Sequence, residues 1–265
     1  FFATAFAAIA RMGAIAIPIS TTIRANELVR VLRQSDLAGL IVQRTFLGTD
    51  YVQRLAEALP DLTTSDSNLR LTATPYLRWI ASTGDGLPPS ILDLAALKAA
   101  AASIPEVILS EAESEVRASD QMVEIYTSGS MALPKGVKHN HGPVLFRAHY
   151  LRAKLAPQRG ERVAVILPMF WVGGLMMYLL PNLAAGATTI CTEKTLRNSR
   201  MAMGVVPTAE DLKVMSAVKM IWGLGMSETL GPYSYGDELR APGFPLCAPM
   251  DHIADGFEVR LVDAD

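Results

Sequence analysis

Residues 126 to 136, Tyr-Thr-Ser-Gly-Ser-Met-Ala-Leu-Pro-Lys-Gly, follow a short apolar run, Met122 to Tyr126. Thr127, Ser128 and Ser130 offer O–H donors, and Lys135 adds a full positive charge at the far end. Gly129 and Gly136 allow positive φ, so backbone N–H groups can turn toward an anion. Together these residue types suit a turn that grips phosphate. Taken alone they also suit a polar loop after an edge strand. A Walker-type loop has its lysine directly after the second glycine, followed by a hydroxyl for magnesium. Counted from Gly129, that second glycine position is Pro134, and Gly136 stands where the hydroxyl belongs. The spacing therefore excludes a Walker loop.

The elements around this turn follow from periodicity. Phe1 to Arg11 reads as a helix and Ala14 to Ile19 as a strand. A helix with Leu28, Val31 and Leu32 on one face comes next, then a strand from Leu37 to Val42 and a helix from Asp50 to Leu59. Residues 61 to 68 read as a polar loop and 108 to 120 as a solvated linker. Gly142-Pro143 opens a helix carrying Val144, Ala148, Leu151 and Leu155, and Arg162 to Leu167 is a short buried strand. Alternation of strand and helix predicts an α/β fold, with parallel-rich sheets flanked by helices. The expected organisation is a partial N-terminal subdomain over 1–107, a linker over 108–120 and a second subdomain over 121–265.

Composition narrows the class. With 265 residues, half of them apolar, the chain can bury a large core. A net charge of −2 with both signs interspersed argues against a nucleic-acid surface. Cys191 and Cys247 lack metal-type spacing and make no disulfide framework, which fits a reduced, cytoplasmic setting. The apolar first twenty residues are interrupted by Arg11, Gly13 and Pro18, so a buried helix passing into a strand is expected in place of a signal peptide or membrane span. His139 and His141 stand two apart with no carboxylate or cysteine partner nearby, a poor metal pattern.

The turn resembles the phosphate loop of adenylate-forming enzymes (acyl-CoA synthetases, luciferases and peptide-synthetase adenylation domains). Their pattern is Tyr-Thr-Ser-Gly-Ser-Thr-Gly-x-Pro-Lys-Gly-Val, usually followed by a histidine. Thr127-Ser128-Gly129-Ser130, Pro134-Lys135-Gly136-Val137 and His141 fit it. Met131 replaces the family's Thr and removes one donor, and Ala132 replaces its Gly. Further segments resemble the family in the same order: residues 12–19, residues 167–190 with their aromatic-Gly-Gly element, Gly-Met-Ser-Glu-Thr at 225–229, and residues 256–263.

The resemblance implies the large N-terminal domain of the acyl-CoA synthetase/luciferase-like fold. It also implies that this domain is incomplete, shortened between 190 and 225 and without the C-terminal lid. It implies that Thr127, Ser128, Gly129, Ser130, Pro134, Lys135 and Gly136 hold ATP phosphates, and that Gly225, Met226 and Ser227 line the nucleotide. Glu228 would be the magnesium ligand and, with Lys135, catalytic. Leu224 stands where the family has a Tyr against adenine. Trp171 falls near the acyl entrance or in the core, and Gly173 and Gly174 allow close helix approach to the nucleotide loop. Met169, Met176 and Met177 are better read as core than as an acyl tunnel. The implied activity is an AMP-forming ligase that activates a fatty or aryl acid with ATP. It would pass the acyl group to coenzyme A, or alternatively to a carrier-protein thiol. A second expectation is a truncated, inactive remnant that binds at most nucleotide or a protein partner, which Met131, Ala132 and the missing lid favour.

Overall fold

The computed structural model describes residues 1–127, 134–165, 167–191, 222–236 and 253–260. They divide into two compact units, Phe1–Asn140 and His141–Asp265. The break falls twenty residues beyond the expected boundary at 120, because the strand after the linker pairs back onto the first unit at Ala16.

In the first unit, helix α1 (Phe2–Arg11) is rich in alanine, a strong helix former, and Phe2 stacks on Phe6 one turn later at 6.2 Å. The expected strand at Ala14–Ile19 reduces to a single parallel bridge between Ala16 and Val123. Pro18 has no N–H to extend that ladder. Helix α2 (Ala25–Gln34) buries Leu28, Val31 and Leu32, the face expected from their spacing. Strand β1 (Gly39–Val42) is followed by a small hairpin, β2 (Thr45–Phe46) and β3 (Thr49–Asp50), and by helix α3 (Tyr51–Ala58). Strand β4 (Trp79–Ser82) lies parallel to β1, and β5 (Leu92–Asp93) lies parallel to β4. Gly39 is required there, because a Cβ would overlap the Trp79 ring.

These elements close over one core of Leu28, Leu32, Leu55, Leu59, Leu77 and Ile80 with their neighbours. Part of the expected polar loop joins it: Pro60–Thr63 forms a 3-10 turn that sinks Leu62 into this core. The expected linker is also structured. Helix α4 (Leu94–Ala101) leads to α5 (Glu106–Glu115), which has no buried residue and is tied to α1 by an Arg11–Glu113 ion pair. The unit ends with strand β6 (Gln121–Thr127) and strand β7 (Lys135–Asn140), paired antiparallel.

In the second unit, helix α6 (His141–Leu155) buries Val144, Ala148 and Leu151. Strand β8 (Arg162–Ala164) pairs parallel with β9 (Thr188–Ile190). Between them runs a helix in three pieces: α7 (Val172–Gly174), a π turn over Leu175–Leu179, and α8 (Leu180–Ala185), closed by Gly186 at φ 71. Strands β10 (Trp222–Met226) and β11 (Gly231–Gly236) form a further antiparallel hairpin. Among the described residues, no helix is long and apolar enough to cross a membrane.

The start of α3 gives a direct test. The Asp50 carboxylate accepts from Val52 N at 2.9 Å and Gln53 N at 3.0 Å. The Gln53 hydrogen bond, with the Arg44 charge and the Val52 bond, holds its pKa below the ordinary 3.8. Because the folded value is the lower one, this stabilisation is present above the unfolded pKa and is lost as pH falls through the folded pKa. Asp50→Ala is expected to cost about 1 kcal/mol near neutral pH in urea unfolding, with the difference from wild type vanishing in strong acid.

Candidate functional site

The phosphate-loop residues sit at the open end of the β6–β7 hairpin. Register pairs Glu124 with Lys138, Ile125 with Val137, Tyr126 with Gly136 and Thr127 with Lys135. Side chains alternate across the strands, so Val123, Ile125, Thr127, Lys135, Val137 and His139 share one face. Buried Val123 and Ile125 anchor that face, and Lys135 emerges exposed at its end. The Thr127 hydroxyl donates to the Lys135 carbonyl at 3.5 Å, a long bond that leaves it easily redirected to another acceptor. Pro134 is half-buried beside it. Ser128, Gly129 and Ser130, with Met131 and Ala132, lie outside the described residues.

Glu124, Tyr126, Gly136 and Lys138 occupy the opposite face. Gly136 is not in the left-handed region. Its expected role in positive φ is therefore replaced by a steric one: a Cβ there would overlap Glu124 Oε1 and stand 2.8 Å from Cδ. Glu124 is buried at 8% exposure, on the same face as Tyr126. Burial, then the nearby Glu124 carboxylate, push the Tyr126 pKa well above its usual value, so the phenol stays protonated.

The second unit holds the remaining candidates. Gly225 and Met226 end β10, and a 3-10 turn over Ser227–Thr229 carries Glu228 exposed at its centre. Gly225 is also a close-approach glycine, since its Cβ would strike the Gly231 carbonyl and lie 2.6 Å from Pro232 Cα. Thr229, which the sequence reading passed over, organises this turn. Its Oγ1 accepts from Met226 N at 3.2 Å and donates to Gly231 O at 2.7 Å. The signal for it was a hydroxyl three residues into a turn, the position of a reciprocal cap. Leu230 follows at φ 54, left-handed and buried.

Trp171 precedes α7, half-buried and edge-on to Phe170 at 5.5 Å. Gly174 packs on the Pro168 carbonyl, and its Cβ would lie 2.7 Å from Met169 N, so a side chain is excluded there. At Gly173 a Cβ would lie 2.8 Å from the tip of the Leu167 side chain. Met176 is fully buried and meets Gly231 at the start of β11, which joins the helix to the Glu228 hairpin. Arg147 of α6 reaches the same hairpin by donating to the Pro232 carbonyl, with its guanidinium over the Tyr150 and Phe257 rings. His141 is buried at the start of α6, with Nε2 unbonded among the described residues. Thus Thr127 and Lys135 are brought together in the first unit. Gly225, Met226, Ser227 and Glu228 are brought together at the β10–β11 turn in the second, while Gly174 packs on Pro168 and Met169.

Glu228 suits magnesium by donor chemistry, being an exposed carboxylate with no ion pair among the described residues. No cluster of three His, Cys, Asp or Glu side chains that could hold a metal ion occurs among those residues.

A family model described as AMP-binding enzyme matches residues 1–223. YngI of Bacillus subtilis (strain 168), assigned as an acyl-CoA synthetase, is 26% identical over 184 residues, covering 69% of this chain and 34% of YngI. The long-chain-fatty-acid–CoA ligase FadD13 of Mycobacterium tuberculosis is 29% identical over 175 residues, covering 66% of this chain and 29% of FadD13. The chain thus spans about a third of the length of the curated relatives it matches. The solved N-terminal domain of FACL13 from Mycobacterium tuberculosis superposes with a TM-score of 0.55 at 18% identity, over 89% of this chain and 63% of that one. At that identity the likeness speaks to the fold.

The turn bearing Glu228 depends on one hydroxyl. Thr229→Val keeps the shape but strands the Met226 N–H and the Gly231 carbonyl. A loss of about 1–2 kcal/mol is expected in denaturant unfolding, together with faster hydrogen exchange confined to the β10–β11 hairpin.

Proposed function

The chain belongs to the AMP-binding enzyme family, and from that premise we propose that it carries the phosphate-handling part of an AMP-forming carboxylate ligase. In this reading a fatty or aryl acid is activated with ATP as an acyl-adenylate and then passed to coenzyme A. The observation that carries the reading is the Thr127–Lys135 pair, a hydroxyl and an exposed ammonium held side by side at the mouth of a rigid hairpin.

A carboxylate has no leaving group of its own, and AMP supplies one. A carboxylate oxygen attacks the α-phosphorus, the bond to the β-phosphate oxygen breaks, and pyrophosphate departs with its electron pair. The thiol then attacks the acyl carbon, loses its proton and expels AMP. Such transfers depend on alignment and on stabilising charge that develops on phosphate oxygens. Thr127, Ser128, Ser130 and Lys135 hold the β- and γ-phosphates. Gly136 and Pro134 fix the exit of the turn, and Gly129 admits close backbone approach. Gly225, Met226 and Ser227 line the nucleotide, with exposed Leu224 and Met226 offering an apolar wall. Glu228 would hold magnesium, which when bound neutralises phosphate charge. Trp171, Gly173 and Gly174 border the acyl group. A cytoplasmic setting belongs to the same reading.

A second reading, a catalytically inactive remnant that binds nucleotide or a protein partner, is favoured by Met131 and Ala132, where a donor and a flexible residue are lost.

ATP–pyrophosphate exchange with a panel of fatty and aryl acids separates the two. The ligase reading expects acid-dependent exchange that falls by about 10²-fold or more in Lys135→Ala, the scale for losing one charge-stabilising donor. Exchange at background level with every acid supports the remnant, and release of ADP with a phosphorylated product overturns both.

A further inference from the structure

Glu124 is a carboxylate where a hairpin strand would ordinarily carry an apolar side chain. It is buried, and lies between Val123 and Ile125 in sequence but on the opposite face of the strand. Its partner set is specific. The carboxylate occupies the space that any side chain at position 136 would need. Tyr126 is paired across the hairpin with Gly136, and the next pair outward is Thr127 with Lys135.

We propose that Glu124 is a positioning residue for Lys135, its buried carboxylate seated against Gly136 so that the two strands are held together one pair before the lysine leaves the sheet. This rests on the phosphate reading of Lys135 and deepens it. Gly136 is glycine because Glu124 needs its space, and the clamp fixes the Lys135 Cα from which the ammonium reaches phosphate. Loss of the clamp leaves Lys135 charged and exposed but swinging with the end of β7. The defect falls on ATP and spares the acid.

The test is a double-substitution cycle on the full protein. Lys135 labelling by an acylating reagent, with and without ATP, is followed by peptide mapping beside ATP–pyrophosphate exchange. In wild type, ATP is expected to slow labelling of Lys135. Glu124→Ala is expected to raise KM for ATP about tenfold and remove most of that protection, leaving KM for the acid within about twofold. Glu124→Gln keeps the size and shape of the side chain seated against Gly136, so its KM for ATP is expected to stay within about twofold of wild type. This keeps the test sharp where Glu124→Ala folds poorly. Gly136→Ala is expected to be worse than Glu124→Ala, and combining the two recovers most of the difference, because the added Cβ then has room. No exchange and no ATP protection in wild type overturns the ligase reading, and this inference with it. Wild-type exchange with Glu124→Ala unaltered, with kcat reduced but both KM values unmoved, or with Gly136→Ala not rescued by Glu124→Ala, overturns this inference alone.

Discussion

Antiparallel pairing of Tyr126 with Gly136 and of Thr127 with Lys135 is the constraint behind the candidate site. A lysine on a free loop spreads its ammonium over many positions, and fixing it costs side-chain entropy of roughly 1.5–2 kcal/mol. Mounted on a strand whose neighbours are buried, the lysine starts from a fixed Cα and loses less freedom on meeting an anion. The pairing holds because both faces of the hairpin are covered. Val123, Ile125 and His139 are buried on one face, and Glu124 on the other. The Ala16 bridge then ties the hairpin to the rest of its unit, through Ala16 N to Met122 O and Glu124 N to Ala16 O, both at 2.9 Å.

Three glycines of the candidate site follow one rule. Gly136, Gly174 and Gly225 all avoid positive φ, and each lies where a neighbouring atom occupies the Cβ position. The neighbours are a carboxylate at Gly136, a carbonyl with its peptide at Gly174, and the facing strand at Gly225. Close approach is therefore what these motifs conserve in space. Alanine at Gly174 or Gly225 must move backbone, whereas at Gly136 it must move a side chain. That difference makes the Gly136 contact the one of the three that a second substitution can relieve.

Much of this was readable from residue order. The helix faces at Leu28, Val31 and Leu32 and at Val144, Ala148 and Leu151 follow from period alone, and Asp50 announces its helix as a capping side chain. Thr127 and Lys135 were legible as a hydroxyl and a cation flanking a turn. Their pairing across a hairpin was not, because register is set by contacts distant in sequence. The strand at Trp79–Ser82 escaped notice because four residues are too few to show alternation. Helix α5 looked like a linker because its charged residues mask a helical run with no buried face. Gly136 was assigned to the wrong physical cause, since sequence shows that a residue lacks a side chain but not which atom needs the space.

The departures at Met131 and Ala132 fall inside the turn, while Thr127 and Lys135 stand at its two ends. Paired residues in an antiparallel ladder hold their Cα atoms roughly 5 Å apart whatever the composition of the loop between them. Strand pairing therefore fixes the two ends of this turn, with the Glu124 contact one pair inward. Replacing Thr by Met deletes one neutral O–H donor, and replacing Gly by Ala narrows backbone choice. Neither touches the ammonium, whose charge-assisted bond to phosphate is roughly twice as strong as a neutral one. On the ligase reading the two substitutions thus remove neutral groups and leave the charged one in place. That asymmetry keeps the ligase reading ahead of the remnant.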